Sequence, residues 1–153
     1  MNIRRTATAA WDGSVKDGGG RMSFESGAFE GPYTFASRFE QGKGENSEGG
    51  TAQKTNPEEL IGAAHAGCFS MALSGDLGRA GYSPKSVETT ATVHLDKVDD
   101  KPTVTKIHLT TKASVPDIGE EEFQQIVEGT KENCPISRLL KAAADVTVDA
   151  SLT

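Results

Sequence analysis

The chain has only two cysteines, one tryptophan and no long hydrophobic segment. Its longest stretch without charge, residues 60–75, is rich in Gly, Ala and Ser. That stretch is too short and too polar to span a bilayer, which needs about 20 apolar residues. Arg4 and Arg5 are not followed by an apolar segment, so the sequence predicts no secretory signal. We expect a cytoplasmic protein with a single domain over residues 1–153, because 35% hydrophobic residues suit a globular chain of this length.

Basic residues are also scarce. Lys and Arg number 16 against 22 Asp and Glu, which gives a net charge of −6 and an isoelectric point near 5.1. No basic patch stands out, so we expect neither nucleic-acid nor membrane partners. In a reducing cytoplasm a stable disulfide between the two cysteines is not expected, and a transient one would be catalytic or redox-sensing.

Alternating and helical patterns predict an α+β fold with antiparallel sheet, in the order β-β-β-α-β-β-α-β. The predicted strands are residues 2–11, 21–26, 33–39, 87–95, 107–115 and 144–152, and the predicted helices are 57–80 and 119–132, with a short one over 135–140. Asp117 is the expected cap of the helix over 119–132. Residues 41–55, rich in Gly and of mixed charge, are predicted to be a loop.

The first long helix has a clear start. Asn56 is the predicted N-cap, Pro57 takes the first helical position and Glu59 completes a capping-box pattern. Gly81 marks its end. A helix without charges over residues 60–75 would be apolar all round, which predicts that a second subunit covers part of it.

The two cysteines occupy different settings. Cys68 lies inside the uncharged stretch, whereas Cys134 precedes Pro135 at a helix start. A recessed thiol and a thiol at a mobile junction are what a peroxide-attacking cysteine and its resolving partner need. From its surroundings alone, Cys68 is better explained as a packing cysteine, because apolar burial raises a thiol pKa and makes the thiol inert. Cys134, at an N-cap, would have its thiolate stabilised by backbone N–H groups, or would be a loop cysteine without a role.

His65 shares a helix face with Cys68, three residues away. Zinc would need four nitrogen or sulfur ligands, and the chain offers no further cysteine, so we expect no metal site. A buried histidine bonded to a backbone or hydroxyl group explains His65 better. No metal, flavin, haem or nucleotide cofactor is called for.

Two segments resemble a known family. Residues 55–73, TNPEELIGAAHAGCFSMAL, closely resemble the signature helix of the OsmC/Ohr thiol peroxidases, and residues 133–137, NCPIS, resemble that family's second cysteine motif. The resemblance spans nearly the whole chain and is closer to the osmotically inducible protein C branch. One departure is the long loop, in which residues 45–54 resemble an insertion.

The resemblance implies a site. It assigns the active-site arginine to Arg38, on the predicted third strand, and its carboxylate partner to Glu58 rather than Glu59. Arginine stays charged and can hold a thiolate, a peroxide oxygen and a carboxylate in one plane. Ten helical residues rise about 15 Å, so Glu58 cannot touch Cys68 along one helix. Either Arg38 bridges them or the site is completed by the other subunit.

The resemblance also implies a function: a homodimeric peroxidase that reduces organic hydroperoxides, and hydrogen peroxide more weakly, in oxidative and osmotic stress. The predicted apolar walls are Leu60, Phe69, Met71 and the strand over 33–39. Cys68 would form a sulfenic acid, Cys134 would close a disulfide, and a lipoyl-type dithiol would restore the thiols. A thiol redox sensor and a binding module for lipid-like ligands are the alternatives.

Overall fold

A computed structural model of the protein describes residues 1–40 and 53–153, so most of the loop predicted over 41–55 lies outside the described residues. The elements in chain order are β1 (Ala7–Asp12), β2 (Gly19–Phe24), β3 (Glu30–Tyr33), α1 (Phe35–Phe39), α2 (Pro57–Arg79), β4 (Ser86–Val98), β5 (Lys101–Ser114), α3 (Glu120–Asn133), α4 (Pro135–Leu140) and β6 (Asp145–Leu152). The α+β class is thereby confirmed. The chain divides into two compact units, residues 1–60 and 61–153, with the boundary inside α2.

The first unit is built on an antiparallel sheet in the order β1-β2-β3. The predicted third strand over residues 33–39 is wrong, because the strand ends at Tyr33 and α1 begins at once. Thr34 accepts a hydrogen bond from the Ser37 N–H while the Ser37 hydroxyl accepts one from the Thr34 N–H, a complete capping box. Arg38 therefore projects from a short helix and not from a strand.

Helix α2 begins at Pro57 with Asn56 as N-cap, as predicted, but the predicted capping box is wrong. The Asn56 side chain accepts a hydrogen bond from the Glu59 N–H at 2.8 Å, while the Glu59 carboxylate binds the Thr55 hydroxyl instead of returning to the cap. The helix ends in a Schellman motif, in which Gly81 has a φ of 96° and the Tyr82 N–H bonds to the Leu77 carbonyl. Both helix ends are thus satisfied by residues that the sequence pattern identifies.

The second unit has a three-stranded sheet in the order β4-β5-β6. Asp99 and Asp100 both have positive φ and join β4 to β5 in a tight antiparallel hairpin. The expectation of purely antiparallel sheet is wrong at β6, which pairs parallel with β5. The chain reaches β6 through α3 and α4, and a crossover of that length permits a parallel return.

The core of the second unit lies between α2, β5 and α3. Along α2, buried side chains recur every four residues, and they face the buried side of β5 and the apolar face of α3. These residues are His65, Phe69, Leu73, Leu77, Ile107, Leu109, Ala113, Phe123 and Val127. Gly62 faces β4, where a Cβ built on its backbone would make an ordinary van der Waals contact with the Ala91 carbonyl oxygen at 3.5 Å.

Helix α3 starts two residues later than a cap at Asp117 would place it. Asp117 has a φ of 64° and lies in the preceding turn, and Gly119 is the N-cap without a side-chain hydrogen bond. Three glutamates in the first turn stabilise the positive end of the helix dipole in place of a side-chain cap. The prediction of an Asp117 cap is therefore wrong, although the helix itself is where the pattern indicates.

Within the chain α2 is buried on one side only. Its other side carries mainly small residues, and Met71 there is 75% exposed. None of the helices in the described ranges is long and apolar enough to cross a membrane.

Candidate active site

The two thiols meet in the second unit. The Cys134 Sγ lies 3.1 Å from the Cys68 Sγ, and both cysteines are free. A disulfide has an S–S distance of about 2.05 Å, so the sulfurs are in contact and need to close by roughly 1 Å to bond. The two residues come from α2 and from the junction of α3 and α4.

The exposures of the two thiols are the reverse of those expected from sequence. Cys134, predicted at a mobile junction, is 1% exposed and belongs to the hydrophobic core, and its N–H bonds to the Thr130 carbonyl at 2.8 Å. Cys68, predicted as the recessed thiol, is only partly buried. The reason is that the junction of α3 and α4 packs against the hydrophobic core, whereas Cys68 lies at the edge of the exposed side of α2.

Burial raises the pKa of the Cys68 thiol, and the nearby Cys134 thiol raises it further. A hydrogen bond from the Ile136 backbone N–H to the Cys68 sulfur opposes these effects. This donor was missed from the sequence: the N–H groups at the start of α4 were expected to stabilise Cys134, whereas this one is directed at Cys68. A reactive Cys68 thiolate still needs a positive charge nearby.

Arg38 and Glu58, predicted as partners, are paired in the first unit. The Arg38 Nε and Nη2 lie 3.0 Å and 2.8 Å from Glu58 Oε1, and the Glu58 residue is 9% exposed. The Arg38 guanidinium also lies 4.9 Å from the centre of the Phe39 ring. A guanidinium with five donors can bind a carboxylate on one edge and a second anion on another.

The start of α2 holds α1, and with it Arg38, in place. The Ser37 hydroxyl donates to the Thr55 carbonyl at 2.8 Å, and the Asn56 amide donates to the Ser37 carbonyl at 3.2 Å. The residues that cap the two helices thus also connect them. The choice of Glu58 over Glu59 agrees with this geometry, because the Glu59 carboxylate is bonded to Thr55.

An aromatic cleft of about 200 Å³ adjoins Arg38. Its walls are Trp11, Val15, Tyr33, Thr34, Phe35 and Phe39. The predicted wall over residues 33–39 therefore lines a cleft, although as a strand end and a helix. Phe69 was wrongly expected in such a wall, because it is fully buried in the core of the second unit.

His65 is fully buried, and its Nε2 lies 2.8 Å from the Ser137 hydroxyl oxygen. The prediction of a buried histidine bonded to a hydroxyl group is confirmed. The buried His65 Nδ1 has no hydrogen-bond partner. In the part of the chain that the structure describes, no three His, Cys, Asp or Glu side chains are grouped so as to hold a metal ion.

Burial lowers the pKa of His65 from its ordinary value of 6.5. As the pH falls below about 6.5, the unfolded chain therefore takes up a proton at His65 and the folded chain does not. The free energy of unfolding consequently decreases in acid. We expect the free energy of unfolding to fall by at most about 1.4 kcal/mol per pH unit from this group. Urea unfolding between about pH 5 and pH 8 measures it.

The controls for this expectation are two glutamine variants. His65→Gln should flatten the acid limb of the profile, whereas His94→Gln, on the exposed side of β4, should leave it unchanged. An acid limb equally steep in His65→Gln and in the wild type would contradict the assignment.

Comparisons with known proteins bear on this site. The family described as OsmC-like protein matches residues 49–149. The chain is 48% identical to Peroxiredoxin OsmC of Escherichia coli (strain K12) over 153 residues, which cover 99% of both chains. It is 32% identical over 95 residues to the organic hydroperoxide resistance protein OhrB of Bacillus subtilis, with 62% of this chain and 68% of that one covered. An organic hydroperoxide resistance protein from Elizabethkingia anophelis has the same fold, with a TM-score of 0.72, 21% identity and full coverage of both chains.

Proposed function

The chain belongs to the OsmC-like protein family and is a peroxidase of peroxide-stress defence, and from that premise we propose that it reduces organic hydroperoxides by a two-cysteine mechanism. The observation that carries the proposal is the contact of the two sulfurs at 3.1 Å. It supports a reaction in which the second thiol acts as soon as the first is oxidised.

The reaction has two steps on the protein. The Cys68 thiolate attacks the distal peroxide oxygen, the O–O bond breaks, and the alkoxide takes a proton and leaves as an alcohol, so that Cys68 becomes a sulfenic acid. The Cys134 thiolate then attacks the Cys68 sulfur, the S–O bond breaks, and hydroxide leaves as water. An external dithiol, which we propose to be of the lipoyl type, reduces the disulfide and restores both thiols.

Arg38 is the proposed cation of the site and Glu58 the group that orients it. Two bonds to one carboxylate and the ring of Phe39 fix the guanidinium plane. A charge held in this way can stabilise both a thiolate and the negative charge that develops on a peroxide oxygen.

We further propose a homodimer in which the partner subunit's Arg38 serves Cys68. Glu58 and Cys68 belong to one continuous helix, α2, along which ten residues rise about 15 Å. The exposed side of α2, with Met71 at 75%, is the surface that a second copy would cover. In such a dimer the partner subunit's Arg38 would supply the positive charge that stabilises the Cys68 thiolate, whose pKa is otherwise raised.

The aromatic cleft beside Arg38 supports an organic substrate. Four aromatic side chains among its walls favour a peroxide with a hydrocarbon group over hydrogen peroxide. Assayed with dihydrolipoamide, kcat/KM for cumene hydroperoxide should exceed that for hydrogen peroxide by at least about tenfold. A ratio near one would contradict the proposed preference.

Two phenylalanines offer a matched test of the cleft. Phe39 and Phe24 are 39% and 38% exposed, and each lies 5.0 Å from a second phenylalanine ring. Phe39→Ala should lower the preference for cumene hydroperoxide, whereas Phe24→Ala should preserve it. Equal losses in both variants would show that the cleft does not select the substrate.

A further inference from the structure

We propose that His65 and Ser137 are positioning residues for disulfide closure, their buried hydrogen bond holding α4 against α2 so that Cys134 meets Cys68. The inference rests on the proposed two-cysteine mechanism. It assigns a task to two buried side chains that the chemistry of the thiols does not itself use.

The two residues of the His65–Ser137 hydrogen bond are each three residues from one of the cysteines. His65 precedes Cys68 by three residues on α2, and Ser137 follows Cys134 by three residues on α4. Residues three apart on a helix are neighbours on one face, so the hydrogen bond lies one turn from the sulfur contact on each helix. His65 is fully buried and Ser137 is 1% exposed, so water does not compete for the bond.

Helix α4 needs such an attachment. It has only six residues, Pro135–Leu140, and a helix this short is not stable by itself. Ile136 and Leu140 pack against the core, while Leu139 is 68% exposed. The Ile136 N–H bond attaches the first turn of α4 to the Cys68 sulfur, which is the reacting atom, so the 2.8 Å hydrogen bond between two buried side chains is a second attachment that fixes the register of α4.

The task is specific to the second chemical step. In that step the Cys134 sulfur displaces hydroxide from the Cys68 sulfenic acid, which requires an approach from 3.1 Å to bonding distance along a defined line. Such displacements are sensitive to misplacement of the attacking atom by as little as 1 Å. Loosening α4 therefore slows closure, and the longer-lived sulfenic acid becomes open to a second peroxide, which oxidises it to a sulfinic acid.

Ser137→Ala tests the proposal because it removes the hydroxyl group and leaves the side-chain volume nearly unchanged. After rapid mixing with cumene hydroperoxide, the first-order conversion of sulfenic acid to disulfide is followed by acid quenching and intact-mass spectrometry. We expect closure to slow about three- to tenfold, the size expected for one buried hydrogen bond, and the sulfinic share to rise in excess peroxide.

A second hydroxyl on α2 provides the matched control. Ser70 donates to the Thr89 hydroxyl at 2.8 Å, a bond of the same length that runs to β4 instead of α4. Ser70→Ala should close its disulfide at the wild-type rate. Equal slowing in Ser70→Ala and Ser137→Ala would overturn the proposal, since it would reflect a general loss of stability.

Variants at His65 test the bond from its other end. His65→Gln keeps an amide group, which can donate or accept a hydrogen bond, at nearly the place of Nε2 and should close almost as fast as the wild type, whereas His65→Met should be slow. Wild-type closure in both Ser137→Ala and His65→Met would overturn the positioning role. A wild-type protein that forms no sulfenic acid would instead overturn the two-cysteine mechanism.

Discussion

One equivalent of an organic hydroperoxide should convert the two free thiols into an intramolecular Cys68–Cys134 disulfide, and Cys68→Ser should lose peroxidase turnover altogether. The physical reason is the 3.1 Å contact of the sulfurs, which leaves the second sulfur only about 1 Å to move before it bonds. Mass spectrometry of non-reduced peptides identifies the disulfide, and a dithiol-coupled assay measures turnover. Recovery of two free thiols after treatment would refute the mechanism.

Cys134→Ser is the matched variant for this experiment. It keeps the attacking thiol, so it should consume one equivalent of peroxide and then stall as a sulfenic acid that further peroxide oxidises to a sulfinic acid. Full turnover in Cys134→Ser would show that an external thiol, not Cys134, resolves the sulfenic acid.

The same experiment distinguishes the alternatives that the sequence leaves open. A redox sensor would form the disulfide but show no steady-state turnover with a dithiol. A module that only binds lipid-like ligands would leave both thiols unreacted. Membership of the OsmC-like protein family and the contact of the thiols both favour an enzyme.

Elements set by strong local signals could be predicted from the sequence. The capped start of α2 and its Gly81 end are examples, as are the alternating faces of β4 and β5. The strand predicted for the segment that contains Arg38 was wrong. The alternation of aromatic and small residues there resembles that of a strand, whereas two hydroxyl side chains form a capping box that starts a helix. The parallel pairing of β6 is a contact distant in sequence, which no local pattern encodes.

The parts of the candidate site that consist of side chains could be predicted from the sequence. Resemblance identified both cysteines, Arg38 and Glu58, and the structure places each within its expected pair. The Ile136 N–H could not be found in this way, because a backbone donor leaves no mark on residue type. Ser137 had a signal, its three-residue spacing from Cys134, which matches that of His65 from Cys68.

Arg38→Ala should lower peroxidase kcat/KM by roughly ten- to a hundredfold while leaving the fold intact. Losing a hydrogen bond to a charged group costs about 1.5–3 kcal/mol, which corresponds to that factor in rate. The thiolate pKa of Cys68, followed by its alkylation rate against pH, should rise in the same variant. Arg38→Lys should recover only part of the loss, because an ammonium group cannot bind a carboxylate and an oxygen in one plane.

Arg21→Ala is the control for a general effect of charge removal. Arg21 also pairs with a glutamate in the first unit, but that pair is exposed and lies on the sheet, so its loss should leave kcat/KM unchanged. An unchanged rate and an unchanged thiolate pKa in Arg38→Ala would refute the role of Arg38.

The proposed exchange of Arg38 between subunits predicts complementation. A dimer of one Arg38→Ala chain and one Cys68→Ser chain holds a single complete site if Cys68 uses the partner subunit's Arg38, because the intact Cys68 then faces the intact arginine. If each site is formed within one chain, both sites of that dimer are defective. Purified through two different affinity tags, the mixed dimer should therefore regain about half of the wild-type activity per dimer, since one of its two symmetric sites is complete. Activity no higher than that of either parent variant would show that Arg38 and Cys68 act within one subunit.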